Sequence, residues 1–432
     1  MPTFHLATFS SDATPPLGHP LCGGWIEPVR GFDGPLSITG VVLMGMGAPI
    51  VLAALDWCGL RNEAFRIWRK ALADAAHTVP ENVEIHCIHA HNAPFADVEA
   101  QKLLASTPGA PPNMDLKFFD KVVAQSAEAL KSSLKKTRRM THFGVGQAKV
   151  DRVASNRRVI GPNGKVRFTR TSATKDPAAR AAPEGLIDPY LKTLSFWDGD
   201  QPLAALNYYA THPMSYYGDG RVSADFCGLA RRKRQADEDH VFQLYFTGCA
   251  GNVTAGKYND GSRENRPILR DRIYAAMVDA WKATKKHELT SWTWRVEPVK
   301  LPPRKEANFA AEASLKSMQD EKATKAKRGN AALQLAWLKR LDTPIEISCL
   351  DFGSAAVVHL PGEPFIEYQL YAQKRRPQAF VCVAGYGDGG PGYLPTRDAY
   401  FQGGYEPTVA LSAPEGEGIL HAAMDKIMKA HS

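Results

Sequence analysis

Short apolar runs alternate along the chain with stretches in which apolar residues recur every three or four positions. Runs of this length that are rich in branched and aromatic residues are typical of buried strands. Two pairs of runs are separated by turn-forming residues and predict hairpins, one over residues 41–43 and 49–57 and one over 345–350 and 355–360. The other runs that predict strands cover residues 83–88, 193–197, 203–209 and 241–246.

The helical spacing is clearest where Phe65, Trp68, Leu72 and Ala76 recur, and it predicts a helix over residues 61–76. Residues 304–340 are charged and poor in large apolar side chains, and they predict one long helix. Further segments with helical spacing cover residues 116–135, 227–237, 267–285, 364–374 and 415–428.

This interleaving of strands and helices predicts the fold class. It favours an α/β or α+β enzyme, with mixed β-sheets and flanking helices, over a sandwich or a helical bundle. The sequence shows no internal repeat of 20 to 50 residues and no long linker rich in Pro, Ser or Gly. We therefore expect a single large catalytic domain over residues 1–432.

Composition and charge exclude several classes of protein. Apolar residues make up 44% and charged residues 23% of the 432 residues, which is typical of folded globular proteins. The net charge of +8 is too small for this length to indicate a nucleic-acid partner. The longest apolar run, residues 41–55, is too short for a transmembrane segment, which needs about 20 residues.

The seven cysteines are scattered and form no C-x-x-C pair, which argues against a disulfide framework or a cysteine-based zinc module. The first residues have no pattern of a secretion signal. We expect a cytoplasmic protein, or a periplasmic or secreted one if a signal peptide has been removed. The oligomeric state is left open.

Common catalytic and nucleotide-binding signatures are absent. The chain has no H-E-x-x-H, no G-x-S-x-G and no phosphate-binding G-x-x-x-x-G-K-[ST] motif. Residues 385–390 fit G-x-G-x-x-G, but Pro391 and further glycines follow at once. A dinucleotide site needs a helix N-terminus at that point, so this segment is interpreted as a loop.

Histidines cluster where the predicted strand 83–88 ends. His89 and His91 are two residues apart, and in an extended chain such residues project from the same face. His86 faces the other way and is interpreted as structural. His212 and Glu363 follow the ends of two other predicted strands. Imidazole and carboxylate groups are ligands that zinc prefers, and the ligands of one site must converge from different elements.

Six short motifs, in order from about residue 12 to residue 406, resemble those of the neutral (non-lysosomal) ceramidase family, specifically its N-terminal catalytic domain. No single motif is decisive, but their order and spacing together are specific. The motifs are Asp12-Ala-Thr-Pro-Pro, Ile88-His89-Ala-His91-Asn-Ala-Pro94, Asn156-Arg157-Arg158, His212 with Val222-Ser-Ala-Asp225, Pro361-Gly-Glu363, and Tyr393-Leu-Pro-Thr-Arg397-Asp-Ala-Tyr400 with Tyr405-Glu406.

The resemblance implies a zinc-dependent amide hydrolase that uses zinc-activated water on an N-acyl, ceramide-like substrate. The zinc ligands that it implies are His89, His212, Glu363 and Tyr393. The catalytic residues that it implies are His91, Arg157, Thr254 and Tyr405, with Arg157 and Tyr405 contacting the amide and its tetrahedral intermediate. The expected partner is a small-molecule or lipid amide.

The chain also departs from the family pattern. The family's Gly-Asp-x-Ser appears here as Gly251-Asn252-Val253-Thr254, which keeps a hydroxyl but loses a carboxylate. Only about 25 residues follow Glu406, so no C-terminal immunoglobulin-like domain is expected. Two alternatives therefore stay open, namely a zinc hydrolase of another ester or amide and a non-catalytic member that binds an acyl ligand.

Overall fold

Three β-sheets form the frame of the molecule in a computed structural model that describes residues 3–429. One five-stranded sheet has the order β6-β4-β3-β1-β8, a second has the order β16-β14-β13-β9-β18, and a four-stranded sheet has the order β19-β20-β21-β23. The strands are β1 (Phe4–Asp12), β2 (Gly31–Phe32), β3 (Ser37–Met44), β4 (Ile50–Leu55), β5 (Gly59–Leu60), β6 (Val83–Cys87), β7 (Phe95–Ala96), β8 (Arg138–Met140), β9 (His142–Lys149), β10 (Ser155–Asn156), β11 (Arg158–Ile160), β12 (Val166–Thr169), β13 (Tyr190–Asp198), β14 (Gln201–Tyr209), β15 (Arg221–Val222), β16 (Phe242–Thr247), β17 (Val253–Thr254), β18 (Lys285–Glu288), β19 (Thr293–Val299), β20 (Ile345–Asp351), β21 (Ala355–His359), β22 (Glu363–Pro364), β23 (Phe380–Ala384) and β24 (Tyr393–Leu394).

Helices cover the outer faces of the sheets. The mixed α/β class predicted from the sequence is thereby confirmed. Among residues 3–429, no helix combines the length and the apolar character needed to cross a bilayer. The α-helices are α1 (Asn62–Ala76), α2 (Val98–Ala105), α3 (Leu116–Ser133), α4 (Pro177–Ala181), α5 (Asp225–Asp237), α6 (Asn265–Lys282), α7 (Ala311–Gln319), α8 (Lys325–Lys339), α9 (Ile366–Arg375), α10 (Arg397–Gln402), α11 (Glu406–Val409) and α12 (Gly416–Ile427).

Side chains that alternate along the strands let the three sheets pack against one another in a common core. Along β3, Val41 and Leu43 belong to a core that also contains Phe196 from the second sheet and Val357 from the third. Val42 points to the opposite face and packs in a core shared with helices such as α1 and α3. Because successive residues of a strand face opposite sides, each sheet contributes to the common core and still binds helices.

Both predicted hairpins are confirmed as antiparallel pairs, β3 with β4 and β20 with β21. The predicted helix over residues 304–340 is wrong, because two helices, α7 and α8, occupy that segment. Asp320 ends α7 in an extended conformation. The Thr324 side chain accepts a hydrogen bond from the Lys327 amide and starts α8, as expected of an N-cap residue.

A buried polar cluster joins the first and third sheets. Ser348 donates to Oε1 of Glu84 at 2.7 Å and lies 3.0 Å from Nδ1 of His359. His86 Nε2 lies 3.6 Å from the Glu84 carboxylate. Burial lowers the pKa of His359 to about 3. Burial alone raises the pKa of Glu84, but the neighbouring His86 and the Arg69 charge outweigh it and lower the pKa to about 2.

This cluster predicts a loss of stability in mild acid. Below pH 6.5 the unfolded chain protonates His359 before the folded protein does, and below pH 4.5 the same holds for Glu84. The free energy of unfolding should therefore fall as pH falls from 6.5, by about 1 kcal/mol per pH unit for one titrating group. Urea denaturation with chelator present measures this slope. The slope should be shallower in His359→Gln, and a constant denaturation midpoint from pH 7 to 5 would contradict the prediction.

Candidate metal centre and cavity

Each of the three large sheets contains one parallel pair of strands, and the segments that follow these pairs meet at one place. β6 leads to His89, β14 leads to His212 and β21 leads to Glu363. The Thr247 hydroxyl, at the end of β16, donates to the carbonyl of Ile88 at 2.7 Å and joins the second sheet to the segment that bears His89. The side chains of His89, His212 and Glu363 thus lie close together beyond the ends of these strands, where sites in open sheets are generally found.

The backbone at the first of these segments differs from the sequence-based expectation. β6 ends at Cys87, and His89 adopts a left-handed conformation with φ of 70°. Few non-glycine residues adopt this conformation, and such strain is concentrated at functional sites. His89 and His91 therefore project together because of a turn rather than because of an extended strand.

The ring nitrogens and the carboxylate lie at distances that suit a metal ion. Nε2 of His89 is 3.3 Å from Oε2 of Glu363 and 3.3 Å from Nε2 of His91. Nε2 of His212 is 3.5 Å from Oε2 of Glu363. Zinc bonds of 2.0 to 2.1 Å in tetrahedral geometry place ligand atoms about 3.3 to 3.4 Å apart. The four groups thus fit the donor set and the spacing of a zinc site.

Two atoms of this cluster are buried and have no hydrogen-bond partner, namely Nε2 of His212 and Oε2 of Glu363. Buried polar atoms without partners are rare, and an ion is one explanation for them. The Nδ1 atoms of His89 and His212 already contact backbone carbonyls. Nδ1 of His89 contacts the Cys58 carbonyl at 2.6 Å, and Nδ1 of His212 contacts the Ala250 carbonyl at 2.5 Å. If each Nδ1–H donates to its carbonyl, the Nε2 lone pairs face the metal position, as is common for zinc-bound histidine.

Burial also sets the protonation of the cluster. It lowers the pKa of His212 to about 4 and that of His91 well below its usual value, and neighbouring positive charge adds to both effects. Burial would raise the pKa of Glu363, but the adjacent His89 and His212 outweigh it and the pKa is well below normal. Neutral imidazoles and an ionised carboxylate are the forms that bind a metal.

Tyr393 is the fourth ligand that the resemblance implies. Its main chain pairs with Glu363 between β22 and β24, and its ring stacks near that of His212 with centroids 6.4 Å apart. Burial raises the pKa of Tyr393 well above normal, the Glu363 charge adds to this, and the Arg157 charge opposes it. The phenol is therefore protonated in the absence of a metal.

Arg157 lies behind two tyrosines. Its guanidinium carbon is 5.1 Å from the ring centroid of Tyr393 and 5.5 Å from that of Tyr405. Nε of Arg157 donates to Oε1 of Glu406 at 2.6 Å, and Nη1 of Arg158 donates to Oε2 of Glu406 at 2.7 Å. This buried carboxylate fixes the guanidinium of Arg157 beside the phenols.

Thr254 lies near the cluster in the chain fold but not at the cavity. Its main chain bridges to that of His212, and its hydroxyl donates to the Thr171 carbonyl at 3.0 Å and accepts from the Gly256 amide at 3.1 Å. The structure therefore does not bring the Thr254 hydroxyl together with the other predicted catalytic groups. Asn252 likewise faces away, since its side-chain oxygen accepts from the Ile366 amide and its nitrogen donates to Glu367.

A cavity of about 440 Å³ opens onto the cluster, and His89, His91, Glu363, Tyr393 and Tyr405 line it. Helix α8 and the turn before α7 form part of its wall, which sequence reasoning missed because it expected one continuous helix there. The large apolar side chains of the wall include those of Trp25, Phe95, Phe309, Leu333 and Leu411.

Sequence reasoning also missed three side chains that touch the histidines. The Tyr386 ring stacks on His89 with centroids 4.4 Å apart, and its hydroxyl lies 3.3 Å from Nδ1 of His212. Sγ of Cys22 lies 3.7 Å from Nδ1 of His91 and 3.7 Å from Sγ of Cys58. The glycines around Tyr386 mark a loop but do not indicate its contacts, and the two cysteines are 36 residues apart in the sequence.

Solved ceramidase structures share this fold. A structure described as a ceramidase complexed with C2 aligns with a TM-score of 0.73 at 16% identity, over 99% of this chain and 75% of that chain. Neutral ceramidase from Pseudomonas aeruginosa aligns with a TM-score of 0.71 at 16% identity, over 99% of this chain and 74% of that chain. No protein-family model matches the sequence, and no curated protein does. The resemblance drawn from the motifs is confirmed at the level of the fold.

Proposed function

We propose that this chain is a zinc-dependent hydrolase of the neutral ceramidase type that cleaves an N-acyl amide. The observation that carries the proposal is the meeting of His89, His212 and Glu363, with buried Nε2 and Oε2 atoms that have no other partner, at the base of a partly apolar cavity. The fold similarity to ceramidases supports the choice of reaction.

The proposed metal ligands are His89, His212, Glu363 and Tyr393. When bound, zinc supplies Lewis acidity and activates water for attack at neutral pH. An acyl chain would pack on the apolar wall, for instance against Phe309 and Leu333. The amide would then lie between the metal ligands and Tyr405, which is 48% exposed and lines the cavity.

The other residues have separate proposed roles. Tyr405 would donate a hydrogen bond to the developing oxyanion, and one such preorganised donor is worth roughly 10²- to 10³-fold in rate. Arg157 does not line the cavity and would act through the phenols, because its charge favours their donation of a proton. His91 is neutral by burial and would carry a proton to the departing amine. Thr254 would be a positioning residue for the segment that bears His212.

Metal analysis and a substrate panel test the proposal. We expect the purified protein to contain about one equivalent of zinc, to lose amide hydrolysis after chelation and to regain it when zinc is added. The panel compares fatty-acid release from N-acyl-sphingosine, N-acyl amino acids and the corresponding esters. Release from the esters with none from any amide would favour a zinc esterase. Acyl-ligand binding without zinc and without hydrolysis after zinc addition would favour a non-catalytic binding protein.

A further inference from the structure

Arg61 is a buried cation in the wall of the cavity, and its side chain has no polar partner. The residue is 7% exposed, and its Nε atom is buried without a hydrogen bond. Among the described residues 3–429, no carboxylate oxygen lies within the 4.0 Å ion-pair distance of its nitrogens. Its guanidinium lies over the ring of Phe95, 4.9 Å from the centroid. This contact packs the side chain but does not neutralise it.

Two carboxylates are in the neighbourhood of Arg61, and both are bound by other groups. Asp97 accepts from Nδ2 of Asn62 at 2.7 Å and from the Ala100 amide at 3.1 Å. Asp388 forms an ion pair with Arg340 and accepts from the Asn62 amide at 3.1 Å. Asp388 is thus neutralised by Arg340, whereas the charge of Arg61 opposes the burial that raises the pKa of Asp97, and does so from beyond the 4.0 Å ion-pair distance. Neither acid makes a direct ion pair with the Arg61 guanidinium.

Arg170 and Arg328 are buried arginines that also lack a carboxylate partner, but their guanidinium groups donate to backbone carbonyls. Other buried arginines have a counter-ion. Arg157 pairs with Glu406, and Arg340 pairs with Asp388. A buried charge without a partner is strongly unfavourable, so an unpaired one that faces a cavity indicates that a ligand supplies the opposite charge. Arg61 shares its cavity with His89 and Glu363 of the proposed metal site.

We propose that Arg61 binds a carboxylate of the substrate, so that the amide cleaved at the metal site carries a negative charge, as an N-acyl amino acid does. This inference rests on the proposed amide hydrolysis and narrows its substrate class. The planar guanidinium matches a carboxylate through two parallel hydrogen bonds. Arg61 is the one permanently charged cation among the described residues that line the cavity, which favours a single carboxylate over a phosphate dianion.

The test compares two amides that differ in charge and little in size, N-dodecanoylglycine and N-dodecanoylethanolamine, with the zinc-loaded protein. We expect wild type to prefer the glycine conjugate by roughly tenfold to a hundredfold in kcat/KM, mainly through KM. In Arg61→Met the preference should fall to near one, and Arg61→Lys should restore part of it. Arg66→Met, on the exposed side of α1, is the matched control and should behave as wild type.

A second measurement separates this inference from the proposed function. Calorimetry in chelator-treated protein reports binding of N-dodecanoylglycine without hydrolysis and without a metal that could itself bind the carboxylate. We expect binding at least tenfold weaker in Arg61→Met than in wild type, even if no amide is cleaved. Equal binding by the two proteins, or an unchanged preference in Arg61→Met, would overturn the inference. Tighter, Arg61-dependent binding of dodecyl phosphate would overturn the choice of a carboxylate.

Discussion

Replacing His212 with alanine is expected to remove bound zinc and to lower amide hydrolysis by roughly 10³-fold or more, because several kcal/mol of transition-state stabilisation depend on the metal. The imidazole is fully buried, and its Nε2 atom, 3.5 Å from Glu363, has no other partner. Without this ring, Glu363 keeps only His89 as a close basic neighbour. Zinc content by elemental analysis and fatty-acid release from the best substrate of the panel measure the two losses.

His86→Ala is the matched control for this variant. His86 is also a buried histidine, but its Nδ1 contacts the Gly385 carbonyl at 2.6 Å and its ring lies in the polar cluster with Glu84 and His359. We expect the control to retain its zinc, at some cost in stability that circular dichroism would report. Full zinc occupancy in His212→Ala would refute the ligand assignment.

The candidate metal ligands could be identified in the sequence because they depend on local signals. His89, His212 and Glu363 each follow a short apolar run, and a strand that ends at a polar residue is visible in the sequence. The convergence of the three segments follows from one parallel strand pair in each sheet. That topology depends on pairing between distant segments, and the sequence indicated it only through the family resemblance.

The wall of the cavity could not be predicted, because its members are distant in the chain and carry no local pattern. In the sequence, Arg61 is simply the first residue of a predicted amphipathic helix. Only the packing of the loops shows that its guanidinium lines the cavity without a direct ion pair. The break between α7 and α8 was missed for a different reason. The whole segment is rich in residues that favour helices. The single N-cap residue Thr324 is a weak indication of a break by comparison.

The partner of Arg157 is a further contact that the sequence does not reveal. The motifs identified Arg157 and the pair Tyr405-Glu406 separately, and these segments are 249 residues apart. The structure shows that Glu406 is completely buried and receives hydrogen bonds from both Arg157 and Arg158. One carboxylate is therefore shared as the counter-ion of two buried guanidinium groups beside the cavity.

Glu406→Gln is accordingly expected to destabilise the folded protein by about 3 to 5 kcal/mol, since it removes the single carboxylate from two buried cations while keeping the size of the side chain. Activity should also fall, because the guanidinium of Arg157 would no longer be fixed behind Tyr393 and Tyr405. The free energy of unfolding from urea denaturation, measured with zinc present, gives the first effect. The kcat of the folded variant at low temperature gives the second.

Glu63→Gln provides the comparison, because Glu63 pairs with Arg66 on the surface of α1. Exposed pairs contribute about 0 to 1 kcal/mol, so this variant should unfold close to wild type. A loss below 1 kcal/mol in Glu406→Gln would mean that the two arginines find water or other acceptors when the carboxylate is gone. The position of Arg157 would then depend on its packing between the tyrosine rings rather than on its ion pair.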